Sequence, residues 1–197
     1  LHWKTCICVR LEIRAMCLQR DTHGDIVHLF GRTRGTPHQH FHRRRDQGSG
    51  IWSEWKKIGL NIDSDFMLPI WQGERLFLYW PSFVSETDQP TAENEKPKRR
   101  QNVSLCSSVF SDDHWGPKSV SSSKLITSSG VYASAPWSFL FDGTLARSPT
   151  RDILGVEISV KTKPFFDGFL ETRYEGKFFA EIESGEISVF NLSTGGT

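Results

Sequence analysis

Leu68–Trp80 reads "LPIWQGERLFLYW", and the fold is decided by how that stretch is read. In an extended chain successive side chains point to opposite faces, so Leu76, Leu78 and Trp80 fall on one side and Phe77 and Tyr79 on the other. The intervening "QGE", Gln72–Glu74, is short enough only for a tight turn, with Gly73 able to take positive φ, so "LPIW" and "RLFLYW" form a hairpin. The period of two recurs outward from here. "LEIRAM", Leu11–Met16, places Leu11, Ile13 and Ala15 on one face, and "VEISV" (Val156–Val160) and "EISVF" (Glu186–Phe190) repeat the pattern. "SDDH", Ser111–His114, joins "NVSLCSSVF" to "WGPKSVS" as a turn, and "YEGKFFAEI" and "ESGEISVF" each carry a glycine that reads as a turn. No helix-length stretch holds an apolar stripe at a spacing of about 3.6 residues. The expectation is an all-β, antiparallel β-sandwich-like domain built of Trp-anchored hairpins: Trp52 and Trp115 each follow a polar turn, with a lysine a few residues on.

The chain has 197 residues, enough for one sizeable core, and residues 1–197 are read as one β-domain, a fragment of a longer chain that starts at Leu1. "SETDQPTAENEKPKRRQ", Ser85–Gln101, is polar, charged and proline-bearing, and is expected as a flexible surface loop between two strand sets. "SVSSSKLITSSG", Ser119–Gly130, is expected to hold a short strand. Lys and Arg number 24 against 23 Asp and Glu, a balance that gives no reason to expect nucleic acid as a partner. No apolar run reaches the ~18–20 residues of a transmembrane segment, and no signal peptide is visible. Cys6, Cys8, Cys17 and Cys106 are too few and too unevenly placed for a disulfide framework, and are expected to stay reduced.

Several chemistries are offered by the residue types. "HQHFH" puts His38, His40 and His42 on one face of a strand, a spacing that can chelate a metal, but Arg43, Arg44 and Arg45 beside it disfavour a cation. A solvated strand face is the expected reading, and no metal or cofactor is expected. Glycoside hydrolysis needs two positioned carboxylates, and a sialidase-type site needs in addition a tyrosine nucleophile and converging arginines. Asp63, Asp65, Glu157, Glu171 and Glu175 are available, with Tyr174 beside Glu175, but Ser-x-Asp-x-Gly-x-Thr-Trp occurs nowhere in the chain. No catalytic residue is assigned. The tryptophans carry the remaining signal. Trp52, Trp55, Trp71, Trp80 and Trp115 either fill the core or supply exposed faces for a sugar or a protein partner. Trp52, Trp55, Trp71 and Trp115 are the candidate ligand or interface residues.

Two segments carry a family resemblance. "IVHLFGRTRGTPHQHFHRR" followed by "WSEWKKIGLNIDSDFMLPIWQGERLFLYWPSF" resembles the neuraminidase-like region of Tc (ABC) insecticidal toxin A components. The shared positions are His28, Phe30, Gly31, Arg32 and Thr33, then Trp52, Ser53, Trp55, Lys57 and Ile58, then Pro69, Trp71, Arg75 through Trp80, and Pro81. "NVSLCSSVFSDDHWGPKSVSSSKL" resembles the hairpin that follows, although Cys106-Ser107 stands where Trp-Ser is usual, and His40 and His42 stand where tyrosines are usual. The resemblance implies a non-catalytic structural and interaction domain in the outer shell of a homopentameric, cell-binding, pore-forming complex. Its implied partners are the other protomers and a host-cell surface glycan or receptor, and its implied location is a secreted or released toxin complex. The shell of that family opens in response to pH, and here Asp63, Asp65, His28, His38, His40 and His42 are the groups expected to feel it. A glycan-binding β-module is the alternative reading, and a sialidase-type hydrolase the third.

Overall fold

A computed structural model of the chain describes residues 10–20, 22, 24–88, 98–126, 137–148, 154–164 and 173–191. Among them there is no helix, and the strands pair antiparallel throughout, as expected. The chain clusters into two compact units: Leu1–Tyr79 with Ser108–Lys118, and Trp80–Ser107 with Ser119–Thr197.

The first unit opens with a four-stranded sheet in the order β1 (Leu11–Gln19), β2 (Ile26–Thr33), β3 (His40–Asp46), β4 (Lys56–Lys57). The β1–β2 register shifts between Ile13 and Ala15, so Arg14 is an inserted bulge residue. The bulge corrects the expected face: Leu11 and Ile13 do not share a side with Ala15. Ala15 pairs with Phe30 and Cys17 with His28, whereas Met16 pairs with Leu29 and Leu18 with Val27. β5 (Leu68–Gln72) and β6 (Arg75–Asp88) form the hairpin expected at "QGE". Gly73 and Glu74 both have positive φ (57° and 58°), the backbone of a two-residue turn whose twist matches that of the strands it joins. β6 is covered on both faces: Leu76, Phe77, Leu78 and Tyr79 are at most 3% exposed. The "SDDH" turn is of the same kind, with Asp112 at φ 49° and Asp113 at φ 70°, linking β7 (Lys98–Ser111) to β8 (His114–Trp115).

In the second unit β9 (Ser119–Val120) and β10 (Leu125–Ile126) pair with β7, so the serine-rich stretch holds two short strands. A meander of β11 (Trp137–Arg147), β12 (Leu154–Pro164), β13 (Arg173–Glu181) and β14 (Ile187–Asn191) follows. Val156, Ile158 and Val160 alternate along β12 and are fully buried, and across the ladder they face Ala180, Phe178 and Gly176. β10 contacts β13 and β14, and the Phe83 ring lies 4.8 Å from that of Phe139, so strands of two sheets also pack against each other within this unit. Trp80 is fully buried, as its place in the alternation demands.

Two further expectations are corrected. Gly176 lies inside β13, not in a turn: the register shift at Val160/Lys161 makes Glu175 an inserted residue, and the following glycine absorbs φ 151°. The polar stretch 85–101 is not a loop throughout. β6 runs on to Asp88 and β7 begins at Lys98, with Gln101 Nε2 donating to Ser85 Oγ at 2.7 Å, and 89–97 lie outside the described residues.

Candidate functional site

The β2–β3 register builds the site. Phe30 pairs with His42 and His28 with Arg44, so His28 and His42 are diagonal neighbours on one sheet face, and His40 follows on that face opposite Arg32. His28, His40 and His42 are 2%, 2% and 4% exposed, which overturns the solvated-face reading of "HQHFH". His38 precedes the strand, its Nδ1 bonded to the Thr33 carbonyl at 2.9 Å.

Burial of imidazoles requires partners, and two of the three supply each other's. His28 Nε2 meets Gln19 Oε1 at 2.9 Å and His28 Nδ1 meets His42 Nε2 at 2.9 Å. An amide oxygen only accepts. His28 therefore carries its proton on Nε2, and His42 donates from Nε2 to the bare Nδ1 of His28, so both rings are neutral. Their centroids are 5.2 Å apart with planes 15° from parallel, the geometry of an in-plane hydrogen bond rather than of face stacking. Burial, with Arg44 nearby, lowers the pKa of His28 to about 4. Burial, then the charges of His28 and Arg44, lowers that of His42 to about 3. Burial, then Arg32, lowers His40 to about 4, and its buried Nε2 has no hydrogen-bond partner among the described residues.

An aromatic hairpin encloses His42. Trp115, set just past the Asp112-Asp113 turn, stands 5.6 Å from the His42 ring, 5.8 Å from Phe30 and 5.1 Å from Phe110. Lys56 on β4 pairs with the Asp113 carboxylate, and Arg44 approaches it at 3.9 Å; the Lys56 hydrogen bond holds the Asp113 pKa below the usual carboxylate range. These elements wall a cleft of about 620 Å³. Its lining joins the Phe110 and Trp115 rings and His42 to Lys56, Lys57, Asn61, His114 and Lys118.

The opposite sheet face carries a second aromatic group. The "WSEW" segment runs beside β3, with the Ser53 amide donating to the Arg44 carbonyl at 2.8 Å and the Arg44 amide donating to Ser53 Oγ at 3.0 Å. The Arg43 guanidinium lies 4.2 Å from the Trp52 ring and 4.6 Å from the Trp55 ring. A Cβ on Gly31 would stand 3.4 Å from the Trp55 indole edge, so glycine there lets the indole lie close to the strand. The four candidate tryptophans thus form no single platform. Trp52 (36% exposed) and half-buried Trp55 clasp Arg43, Trp115 borders the cleft, and half-buried Trp71 on β5 pairs with Leu76 on β6.

The proposed carboxylates are dispersed. Asp65 pairs with Arg32, Asp63 is exposed, and Glu157 pairs with Lys177 at 2.8 Å in the other unit. Glu175 is buried at its bulge, while Glu171 and the Tyr174 side chain lie outside the described residues. Among the described residues no three His, Cys, Asp or Glu side chains group as metal ligands. Cys17 and Cys106 are unbridged, and Cys6 and Cys8 lie outside the described residues. Asn102 of the Asn-Val-Ser sequon is 5% exposed within β7, inaccessible to a glycosylating enzyme in the folded chain. Sequence reasoning missed Gln19 as the partner of His28, and the lysines and Asn61 of the cleft. The available signal was a hairpin with alternating histidine and aromatic residues on both arms.

A family model described as "Neuraminidase-like domain" matches residues 11–160. A comparison with curated proteins finds no match. Among solved structures the chain is similar to Tc toxin TcdA4 of Morganella morganii, determined by cryo-EM, at 12% identity and a TM-score of 0.56. The alignment covers 92% of this chain and 8% of that one, so the chain spans less than a tenth of its neighbour.

Proposed function

The chain belongs to the neuraminidase-like domain family, and from that premise we propose that it is a non-catalytic structural and interaction domain of a Tc-type toxin A subunit. In this reading residues 1–197 are one segment of a longer polypeptide. They form part of the outer shell of a released, cell-binding, pore-forming complex. The partners are the neighbouring protomers of a homopentamer and, at the target cell, a surface glycan or receptor. The observation that carries the reading is coverage: nearly the whole chain aligns with a small part of a much larger Tc toxin.

The arginines of the first unit support a structural role. A sialidase-type site needs several guanidinium groups converging on one substrate carboxylate. Here Arg32 pairs with Asp65 and Glu12, Arg43 lies between two indoles, Arg44 faces Asp113, and Arg45 donates to the Gly50 carbonyl at 3.1 Å. Arg14 and Arg34 join Arg32 at Asp65 and Glu12, where the chain's own acidic residues engage them, and Arg43, Arg44 and Arg45 are held at separate places. The glycan-binding alternative is favoured by one observation, the Trp115 cleft with its cationic rim.

The test of catalysis is turnover of a fluorogenic sialoside from about pH 4 to 8, with and without a chelator, the range in which side-chain acids and bases exchange roles. The expected result is no turnover above a heat-killed control. Turnover that disappears in Tyr174→Phe would replace the structural reading with a hydrolytic one.

A further inference from the structure

The cleft beside Trp115 has a composition that selects among ligands. Its volume of about 620 Å³ lies inside the range of small-molecule sites. Among the described residues its lining sets Lys56 and Lys57 beside the carboxylate of Asp113, and that carboxylate is already held by Lys56 and approached by Arg44. The positive charge left to face a ligand is that of Lys57, exposed on the short β4 strand. Phe110 and Trp115 offer apolar ring surface, and Asn61, with the backbone of Gly59, offers directional hydrogen bonding. An aromatic wall suits the C–H face of a sugar ring, amides suit its hydroxyls, and ammonium groups on flexible stems suit a carboxylate without demanding planar bidentate geometry.

We infer that this cleft binds a carboxylated sugar of the uronic-acid type, with the ring against Trp115 and Phe110 and the carboxylate toward Lys57. The inference rests on the reading of the domain as a binding rather than a hydrolytic one. The surroundings of the cleft are suited to a fixed wall. Trp115 is backed by Phe30 and His42, and the Gly116 amide donates to the Val109 carbonyl at 2.8 Å while its carbonyl accepts from Ser108 Oγ at 2.9 Å. The lining needs little ordering when a ligand arrives, and such preorganisation favours affinity.

The test titrates the chain with tetragalacturonate, its fully methyl-esterified form and hexaglutamate, followed by tryptophan fluorescence and calorimetry at about 50 mM salt, where charge is weakly screened. Saturable binding of the tetragalacturonate is expected. The ester, which keeps the ring and loses the charge, should bind about tenfold more weakly, and hexaglutamate, which keeps charge without the ring, likewise. Lys57→Glu should weaken tetragalacturonate binding about tenfold, Lys57→Arg should retain it, and Asn61→Ala should weaken it several-fold, each with circular dichroism unchanged. No saturable binding, equal binding of acid and ester, equal binding of hexaglutamate, or indifference to both Lys57→Glu and Asn61→Ala would overturn the inference. Product release is measured in the same samples. Cleavage of the tetrasaccharide would defeat the non-catalytic reading, whereas absence of binding without cleavage would defeat the cleft assignment alone.

Discussion

Acidification puts the buried histidines under direct strain, and its size follows from their environment. His28, His40 and His42 have folded pKa values of about 4, 4 and 3, against 6.5 when unperturbed. A histidine with a depressed folded pKa is neutral in both states above pH 6.5. Below that the unfolded chain binds a proton that the folded chain refuses, so stability falls with pH until the folded pKa is passed. At about pH 5 each such group costs about 2 kcal/mol relative to pH 7.5, and the three together about 6 kcal/mol. Domains are typically stable by only about 5–15 kcal/mol, so this loss approaches the whole margin. The chain of hydrogen bonds sharpens the effect. His42 can take one added proton on Nδ1 while still donating from Nε2, but a second, on His28 Nδ1, places two N–H groups face to face. Urea denaturation at pH 7.5 and pH 5 reads the difference directly. His42→Phe should lose about 1 kcal/mol at pH 7.5 through the broken hydrogen bond, yet recover about 2 kcal/mol of the acid-induced loss. A parent chain with the same midpoint at both pH values, or a His42→Phe variant with the parent's full acid loss, would show that the buried histidines do not set the acid stability.

Trp80→Ala removes a fully buried indole and should destabilise the fold by about 3–5 kcal/mol in chemical denaturation. Gly155→Ala would place a Cβ 2.4 Å from the Phe179 ring and 2.6 Å from the Ala180 carbonyl oxygen, and the backbone oxygen cannot swing aside. It should cost about 1–3 kcal/mol in the same assay, while Gly59→Ala, with nothing within 4 Å, should lie near the parent. Arg43→Ala should cost about 1–2 kcal/mol and change the tryptophan emission, because one guanidinium contacts both Trp52 and Trp55.

Local chemistry made the hairpins legible. Gly73 between alternating apolar strands, and the Asp112-Asp113 pair, are turn residues that tolerate positive φ, and both turns lie where their residue types place them. The bulges at Arg14 and Glu175 were not legible, because one inserted residue reverses the facing of a strand without altering its composition. Burial of His28 and His42 was hidden for a related reason. Their polarity argues for exposure, and only the register shows that they satisfy each other. The ends of β6 and β7 read as a loop because a backbone ladder forms between polar residues as readily as between apolar ones. The division of the tryptophans between the Arg43 clasp, the cleft and the core depends on strand facing that composition does not carry.

In the proposed function these strands form part of a toxin shell. Cryo-EM of the native polypeptide that carries them tests it most directly. The expected result is a fivefold particle in which this domain lies in the outer wall and touches a neighbouring protomer. A monomeric, free-standing protein, or a particle in which the domain makes no contact with another protomer, would contradict it.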